Sequence, residues 1–399
     1  MNCRRFAYIL LTIVGFFGMA PCADTKEPPV VPPDEILVNL SFSVVAPPSA
    51  DSPRSRANVV ISPDKDNYFE REASRYERIN TLRIIIVRPD GTVEHNKLFN
   101  FSDDGVVYCD DMTFKVTGGE KKKIYILGNE ACVPFDFSSI EGTYVPGTIE
   151  NITISAGPDS NVLFDNSEDS SVSHYLPMCE VHEVYVSVPR TIEEFNQTVG
   201  SLFITRAAVK FSFNFSADNG EGFYVRDVTI NSLAAKEYYL PNSTVYNPVK
   251  TAPSILNWTG AAEPKIESRF IVDYKVPENV AHTPQTFTIE GGLAFGTTDN
   301  PATLVPALYF CESAYNPTST EPYSLTMTIS GKDKDSEGND IFVDTHTFGP
   351  VELPNLPFLP RNTHVVINIH LTGTDIECTV KLVPYTGIWL DPDFGIDRD

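Results

Sequence analysis

Every even position of residues 36–45 is apolar. Ile36, Val38, Leu40, Phe42 and Val44 are apolar, and Asn39, Ser41 and Ser43 stand between them. A period of two places the two sets on opposite faces of an extended chain. The apolar face requires a core to cover it, so this segment predicts a half-buried strand. Further strand patterns recur, separated by turn residues. In the first series they fall at 81–88, 112–117, 122–127, 151–155 and 180–188. Pro89-Asp90-Gly91-Thr92 predicts one hairpin turn, and Gly118-Gly119 predicts a second hairpin between 112–117 and 122–127. The pattern breaks over 189–200. A second series follows at 202–215, 224–231, 270–274, 285–290, 306–311, 323–330, 341–348, 363–371 and 376–383. No long amphipathic helix pattern appears; short helical inserts are expected near 68–77 and 191–196. Many short strands, with 31 prolines and 23 glycines, argue for all-β sandwiches.

The start of the chain is a targeting segment. Arg4-Arg5 precede a short apolar run over 6–17, and Gly18-Met19-Ala20-Pro21-Cys22 follows. The run is too short to span a bilayer comfortably. Two processing routes remain open. Cleavage before Cys22 would leave that thiol acylated, and a polar, Pro-rich tether over 23–33 favours it. Cleavage after Ala20 would leave no lipid. Stable anchoring takes more than one acyl chain, which a lipid-bearing cysteine supplies.

Composition excludes several function classes. The formal net charge is -23, and such a surface repels nucleic acid. The lysine run Lys121-Lys122-Lys123 reads as a solvated strand start. Five cysteines beyond Cys22 (Cys109, Cys132, Cys179, Cys311 and Cys378) make no disulfide framework. Cys179 and Cys378 read as buried small hydrophobes, and a Cys109–Cys132 pair is the one left open. No nucleophile elbow, P-loop or dinucleotide fingerprint is present, so no enzyme and no cofactor is expected. His182-Glu183 lacks the second histidine of a zinc-protease helix and reads as strand. Cys179 and His182 have ligand-like spacing without a second pair. Asp103-Asp104 and Asp110-Asp111 read as turn residues. Asp333, Asp335, Glu337, Gly338 and Asp344 loosely follow a calcium-loop spacing. They lie between two strands, so a hairpin turn is the plainer reading.

Four features together resemble the fimbrillins, the type V pilins of Bacteroides-type bacteria. They are the exported start with Cys22; the first alternating strand followed by a loop holding Arg54 and Arg56-Ala57; Ile204-Thr205-Arg206-Ala207-Ala208-Val209-Lys210-Phe211, similar to an Arg-Ala-Ala-x-Lys strand; and Leu359-Pro360-Arg361-Asn362-Thr363-His364-Val365, similar to an Arg-Asn-Thr-x-Tyr stretch, with His364-Val365 where an aromatic is usual. The resemblance implies two transthyretin-like β-sandwiches in tandem. It divides the chain into a signal peptide (1–21), a lipid tether with a removable first strand (22–56), an N-terminal sandwich (57–195), a C-terminal sandwich (196–387) and a tail (388–399). It implies a precursor lipidated at Cys22, carried to the outer membrane, and cut between Arg56 and Ala57 by a surface Arg-specific protease, with Arg54 as the second choice. The implied partners are other fimbrial subunits, joined into a fimbrium at the cell surface.

The tail alternates as well. Ile388, Leu390, Phe394 and Ile396 share one face, and Pro392 interrupts the run. It suits either a donor strand for a neighbouring subunit or a strand of its own domain. A second functional reading is a monomeric surface lipoprotein that binds glycan or host protein, with Tyr238, Tyr239 and Trp258 as binding positions. Stalk, anchor and tip places all remain open within the fimbrial reading.

Overall fold

The computed structural model describes residues 36–45, 77–102, 105–155, 175–218, 222–240, 280–305, 307–314, 323–353, 356, 358–359, 361–372 and 375–384. Within these the chain is all-β, with short 3-10 turns as its helical content. The first group of strands is β1 (Leu37–Val45), β2 (Thr81–Val87), β3 (Val93–Asn100), β4 (Tyr108–Thr117), β5 (Glu120–Gly128), β6 (Thr153–Ser155), β7 (Met178–Val186), β8 (Asn196–Phe203) and β9 (Thr205–Arg206). The second group is β10 (Val209–Ala217), β11 (Phe223–Ala234), β12 (Lys236–Tyr238), β13 (His282–Ala294), β14 (Ala302–Thr303), β15 (Leu308–Phe310), β16 (Ser313–Ala314), β17 (Ser324–Lys334), β18 (Asp340–Glu352), β19 (Phe358–Leu359), β20 (Thr363–Thr372) and β21 (Asp375–Pro384).

The first group makes two sheets, ordered β4-β1-β8 and β3-β2-β5-β7-β9. Their facing sides enclose one core, in which Val38, Leu40, Phe42 and Val44 meet Ile84, Ile86, Ile124 and Ile126. The opposite side of the larger sheet is covered too. Ile85, Tyr125 and Leu127 pack there beneath Phe137, Tyr144, Ile149 and Tyr239. Burial on both faces explains why β2 carries an unbroken apolar run over 84–87 in place of an alternation. The second group makes a sheet ordered β14-β10-β20-β21, with β15 also on β10, facing a sheet ordered β13-β11-β17-β18. Phe211, Phe213 and Phe215 of β10 fill the core between them with Ile367 and Ile369.

Several expectations are corrected. Gly118-Gly119 is not a hairpin: β4 and β5 lie in different sheets, and the two glycines turn the chain from one to the other. A Cβ on Gly118 would come within 2.9 Å of the Ser187 carbonyl oxygen, and Gly119 has φ +85, so the corner needs both glycines. The Pro89–Thr92 turn does close the β2–β3 hairpin, with the Asp90 carboxylate accepting from the Thr92 amide at 2.8 Å. Lys122 is not solvated. It is fully buried, and its ammonium lies 2.7 Å from Glu94 and 2.6 Å from Glu120. Its parity with Ile124 and Ile126 turns it inward, while Lys121 and Lys123 point out. Asp110 lies within β4, where it accepts from Ser43 at 3.0 Å, and not in a turn.

The break expected over 189–200 contains β8, which pairs with β1, and β9 pairs with β7. The strand pairing therefore carries the first group through Arg206, past the division expected between 195 and 196. The helical insert near 191–196 is a 3-10 turn at Glu193–Phe195. That expected near 68–77 lies outside the described residues but for Glu77, and the strand at 270–274 lies wholly outside them.

Candidate functional site

β1 occupies a slot. It pairs antiparallel with β4 from Leu37↔Thr117 to Val45↔Tyr108, and parallel with β8 from Asn39↔Asn196 to Val45↔Phe203. Val38, Leu40, Phe42 and Val44 are at most 2% exposed. Phe42 stacks on Phe114 with ring centroids 5.5 Å apart. Ile36, expected on the same buried face, is 42% exposed, because it sits at the open end where the strand enters. The buried set is thus four side chains. At about 1.5–3 kcal/mol each they contribute roughly 6–12 kcal/mol, an upper bound because unfolded chains also bury surface. The outward face is polar and paired: Asn39 donates to Asn196 at 2.8 Å, and the Ser41 and Thr113 hydroxyls are 2.8 Å apart.

The two sequence motifs at Arg206–Lys210 and at Arg361–Thr363 come together. β10 and β20 run parallel in register, Val209 opposite Thr363 and Lys210 opposite His364. Just before these strands, both arginines are fully buried. Arg206 donates through Nε and Nη2 to the Glu77 carbonyl at 3.2 and 2.9 Å. The Glu77 carboxylate takes Lys210 Nζ at 3.1 Å and the Tyr309 hydroxyl at 3.0 Å. Burial alone would raise the Glu77 pKa, but Lys210 and Arg206 outweigh it and hold the group below its ordinary value. Glu77 precedes β2 of the first group, so it ties that group to the second.

Arg361 lies in a more crowded setting. It donates to the Tyr239 carbonyl at 2.7 Å, to the Tyr238 carbonyl and to Glu312. Glu237 accepts the Glu312 amide at 2.6 Å and lies 3.9 Å from Arg361. Glu180, buried nearby on β7, lies 3.4 Å from the Thr205 hydroxyl. Burial pushes Glu180 up to about 7, against the Val181 amide and the Arg361 charge. Burial and the neighbouring Glu312 push Glu237 upward as well. A carboxyl whose folded pKa is raised adds stability that is complete below its unfolded pKa and is lost as pH rises through the folded value. Glu180→Gln is therefore expected to flatten the stability profile between about pH 4.5 and 7. The shift corresponds to roughly 3 kcal/mol at 1.36 kcal/mol per pKa unit. Denaturant midpoints of the two proteins, compared at pH 5 and pH 8, check this.

The remaining sequence-predicted positions divide as follows. Cys22, Arg54, Arg56 and Ala57 lie outside the described residues, as do Ile388, Leu390, Phe394 and Ile396. Cys109, Cys179 and Cys311 are buried free thiols, and Cys378 is half-buried. The Cys132 side chain lies outside the described ones. Cys179 donates to the Tyr239 carbonyl, and the His182 ring nitrogen lies 2.7 Å from the Phe203 carbonyl oxygen. Both are strand residues of β7. Asp335 caps the β17–β18 turn by accepting the Glu337 and Asn339 amides, each at 2.8 Å. Asp333 and Asp344 lie on the two strands and Glu337 in the turn, so the five residues form a hairpin and its flanks. Tyr239 is a core residue and not a surface aromatic: it is fully buried, and its hydroxyl donates to the Met178 carbonyl at 2.9 Å. Tyr238 is half-buried at the end of β12, and Trp258 lies outside the described residues.

No family model and no curated protein matches the chain. Among solved structures it is similar to the tip fimbrial protein Mfa3 from Porphyromonas gingivalis, C-terminally truncated. The identity is 13%, the match covers 88% of this chain and 100% of that one, and the TM-score is 0.48. It is also similar to a fimbrial assembly protein from Parabacteroides distasonis, at 14% identity, 87% and 96% coverage, and a TM-score of 0.41. The described residues are all-β, and the chain's resemblance to the fimbrillins rests on the sequence motifs that carry it.

Proposed function

We propose that this protein is a structural subunit of a surface fimbria, built on two transthyretin-like sandwiches, in which β1 is a removable placeholder. The observation that carries the reading is the slot. β1 is central, yet 46–76 separate it from the next strand in its group, so one cut in that segment severs its link to the rest of the fold. Its departure would leave β4 and β8 as two unpaired edges above an apolar groove. Such edges template another chain, and an added strand satisfies the backbone while alternate side chains fill the groove. The tail offers the same period: Ile388, Leu390, Phe394 and Ile396 fall on even positions, as Val38, Leu40, Phe42 and Val44 do. A head-to-tail contact of this kind does not close on itself and yields a filament.

In this reading the precursor is anchored in the outer membrane through lipid on Cys22, and an Arg-specific surface protease cuts between Arg56 and Ala57. N-terminal sequencing of the surface-exposed protein tests it. A start at Ala57, together with ladders that survive unheated SDS, supports polymerisation. A blocked start at Cys22 on a monomer that protease leaves whole supports a lipoprotein that binds without assembling.

A further inference from the structure

The outward face of the β13-β11-β17-β18 sheet carries a cluster that neither the strand slot nor the buried ion pairs use. Arg226 is an extra residue on β11. Val225 and Asp227 pair with the adjacent residues Ile329 and Thr328 on β17, and with Leu293 and Thr288 on β13. On β13, residues 289–292 bulge opposite it, with Gly291 and Gly292 at φ +71 and +69. On β18 the register shifts beside Gly331, where Asp344 has φ +49. Three of the four strands thus carry extra residues at one level of the sheet. A bulge of this kind re-aims a side chain, and bulges gather beside binding sites.

The side chain re-aimed here is cationic and rests on an aromatic ring. The Arg226 guanidinium carbon lies 3.5 Å from the centre of the Phe342 ring. Lys332 Nζ lies 4.2 Å from the centre of Tyr224 and 5.3 Å from that of Phe342. The two rings meet edge to face at 6.4 Å. Gly292 makes room for them: a Cβ there would come within 2.9 Å of Tyr224 and 3.1 Å of Phe342. Two of the nearby acids are engaged by other partners. Asp340 pairs with Lys334 at 2.6 Å, and Asp227 accepts from Thr288 at 2.6 Å, while Glu290 and Asp344 are exposed. Arg226 Nε is shielded from solvent and has no hydrogen-bond partner among the described residues. A shielded donor without a partner is costly, so the position of this guanidinium is held by the rings and the bulge and not by hydrogen bonds at Nε.

We propose that Arg226, Lys332, Tyr224 and Phe342 form a binding site for an acidic saccharide. Its carboxylate or sulfate lies between the two cations, and its ring lies beside the two half-buried aromatics. Charge complementarity selects the anion: in a chain of net charge -23, two cations held in place by rings make a local attractive spot. The rings order both cations before the ligand arrives, so little side-chain freedom is lost on binding. The site lies on the second group of strands and does not depend on the release of β1.

Titration calorimetry of the full-length protein with a heparin oligosaccharide tests the proposal, with neutral dextran and a poly-glutamate peptide as comparison probes. The expected result is salt-sensitive binding of heparin, at least tenfold weaker in both Arg226→Met and Lys332→Met. Lys97→Met should leave it unchanged, since that residue covers Phe99 at 4.6 Å in the other group of strands. Lys332 lies near the hairpin tip, so its variant keeps the test sound if Arg226→Met fails to fold. Absence of heparin binding, equal binding by both variants and wild type, or equal binding of poly-glutamate would each overturn it.

Discussion

Phe42→Ala is expected to destabilise the precursor by about 3–5 kcal/mol, the usual cost of emptying a buried phenylalanine site. Phe42 is 2% exposed in the middle of a central strand and stacks on Phe114, whose other ring neighbours are His95 and Phe99. Strands on both sides hold their places, so the cavity has little room to collapse. Denaturant unfolding of the uncut protein measures the loss. The placeholder account adds a sharper expectation. Once a neighbour's strand has replaced β1, residue 42 is no longer present, so fibres assembled from the variant should resist SDS as well as wild-type fibres do. A purely structural β1 would weaken precursor and assembled protein alike.

Glu77→Ala should be of comparable size, about 3–5 kcal/mol, because removing one partner of a buried ion pair strands the others. Lys210 would lose its carboxylate at 3.1 Å, and Tyr309 would lose the acceptor of its hydroxyl. Arg206 would keep the Glu77 carbonyl, since the backbone remains. Replacing Glu77 and Lys210 together, by glutamine and methionine, should recover most of the loss, and a double-mutant cycle on thermal midpoints reads the coupling directly. The pH dependence has a definite sign. Glu77 is held below its ordinary pKa, so its contribution is present above the unfolded value and fades as pH falls through the folded one. Glu180 behaves in the opposite sense, so acid should weaken one set of buried groups while it relieves the other.

The sequence made β1 legible because one buried face and one polar face impose a period of two. The same period placed Lys122 inward with Ile124 and Ile126, and attention to parity in place of composition would have found it. Other features have no local signature. Gly118-Gly119 carries turn chemistry, but whether the flanking strands pair is decided by sheets that form elsewhere. The parallel pairing of β1 with β8 joins Asn39 to Asn196 across most of the first group, and nothing near residue 196 announces it. The burial of Glu77, Glu180, Glu237 and Glu312 has no local signature, because their partners Lys210, Thr205 and Arg361 stand far away in sequence or in another group. The two motifs that suggested a family turn out to supply the cations of those buried clusters. That gives them a packing role independent of any resemblance. Arg226 was missed since its position depends on bulges in three strands, and a bulge is set by pairing and not by the residue itself.

Strand exchange in solution probes the placeholder idea at its root. Purified precursor is digested with an Arg-specific protease in the presence of an isotope-labelled peptide spanning residues 385–399, and the complex is weighed by native mass spectrometry. The account predicts that the fragment ending at Arg56 departs and one labelled peptide takes its place on the remaining chain. A fragment that stays bound after cleavage, with no peptide gained however long the incubation, would contradict it.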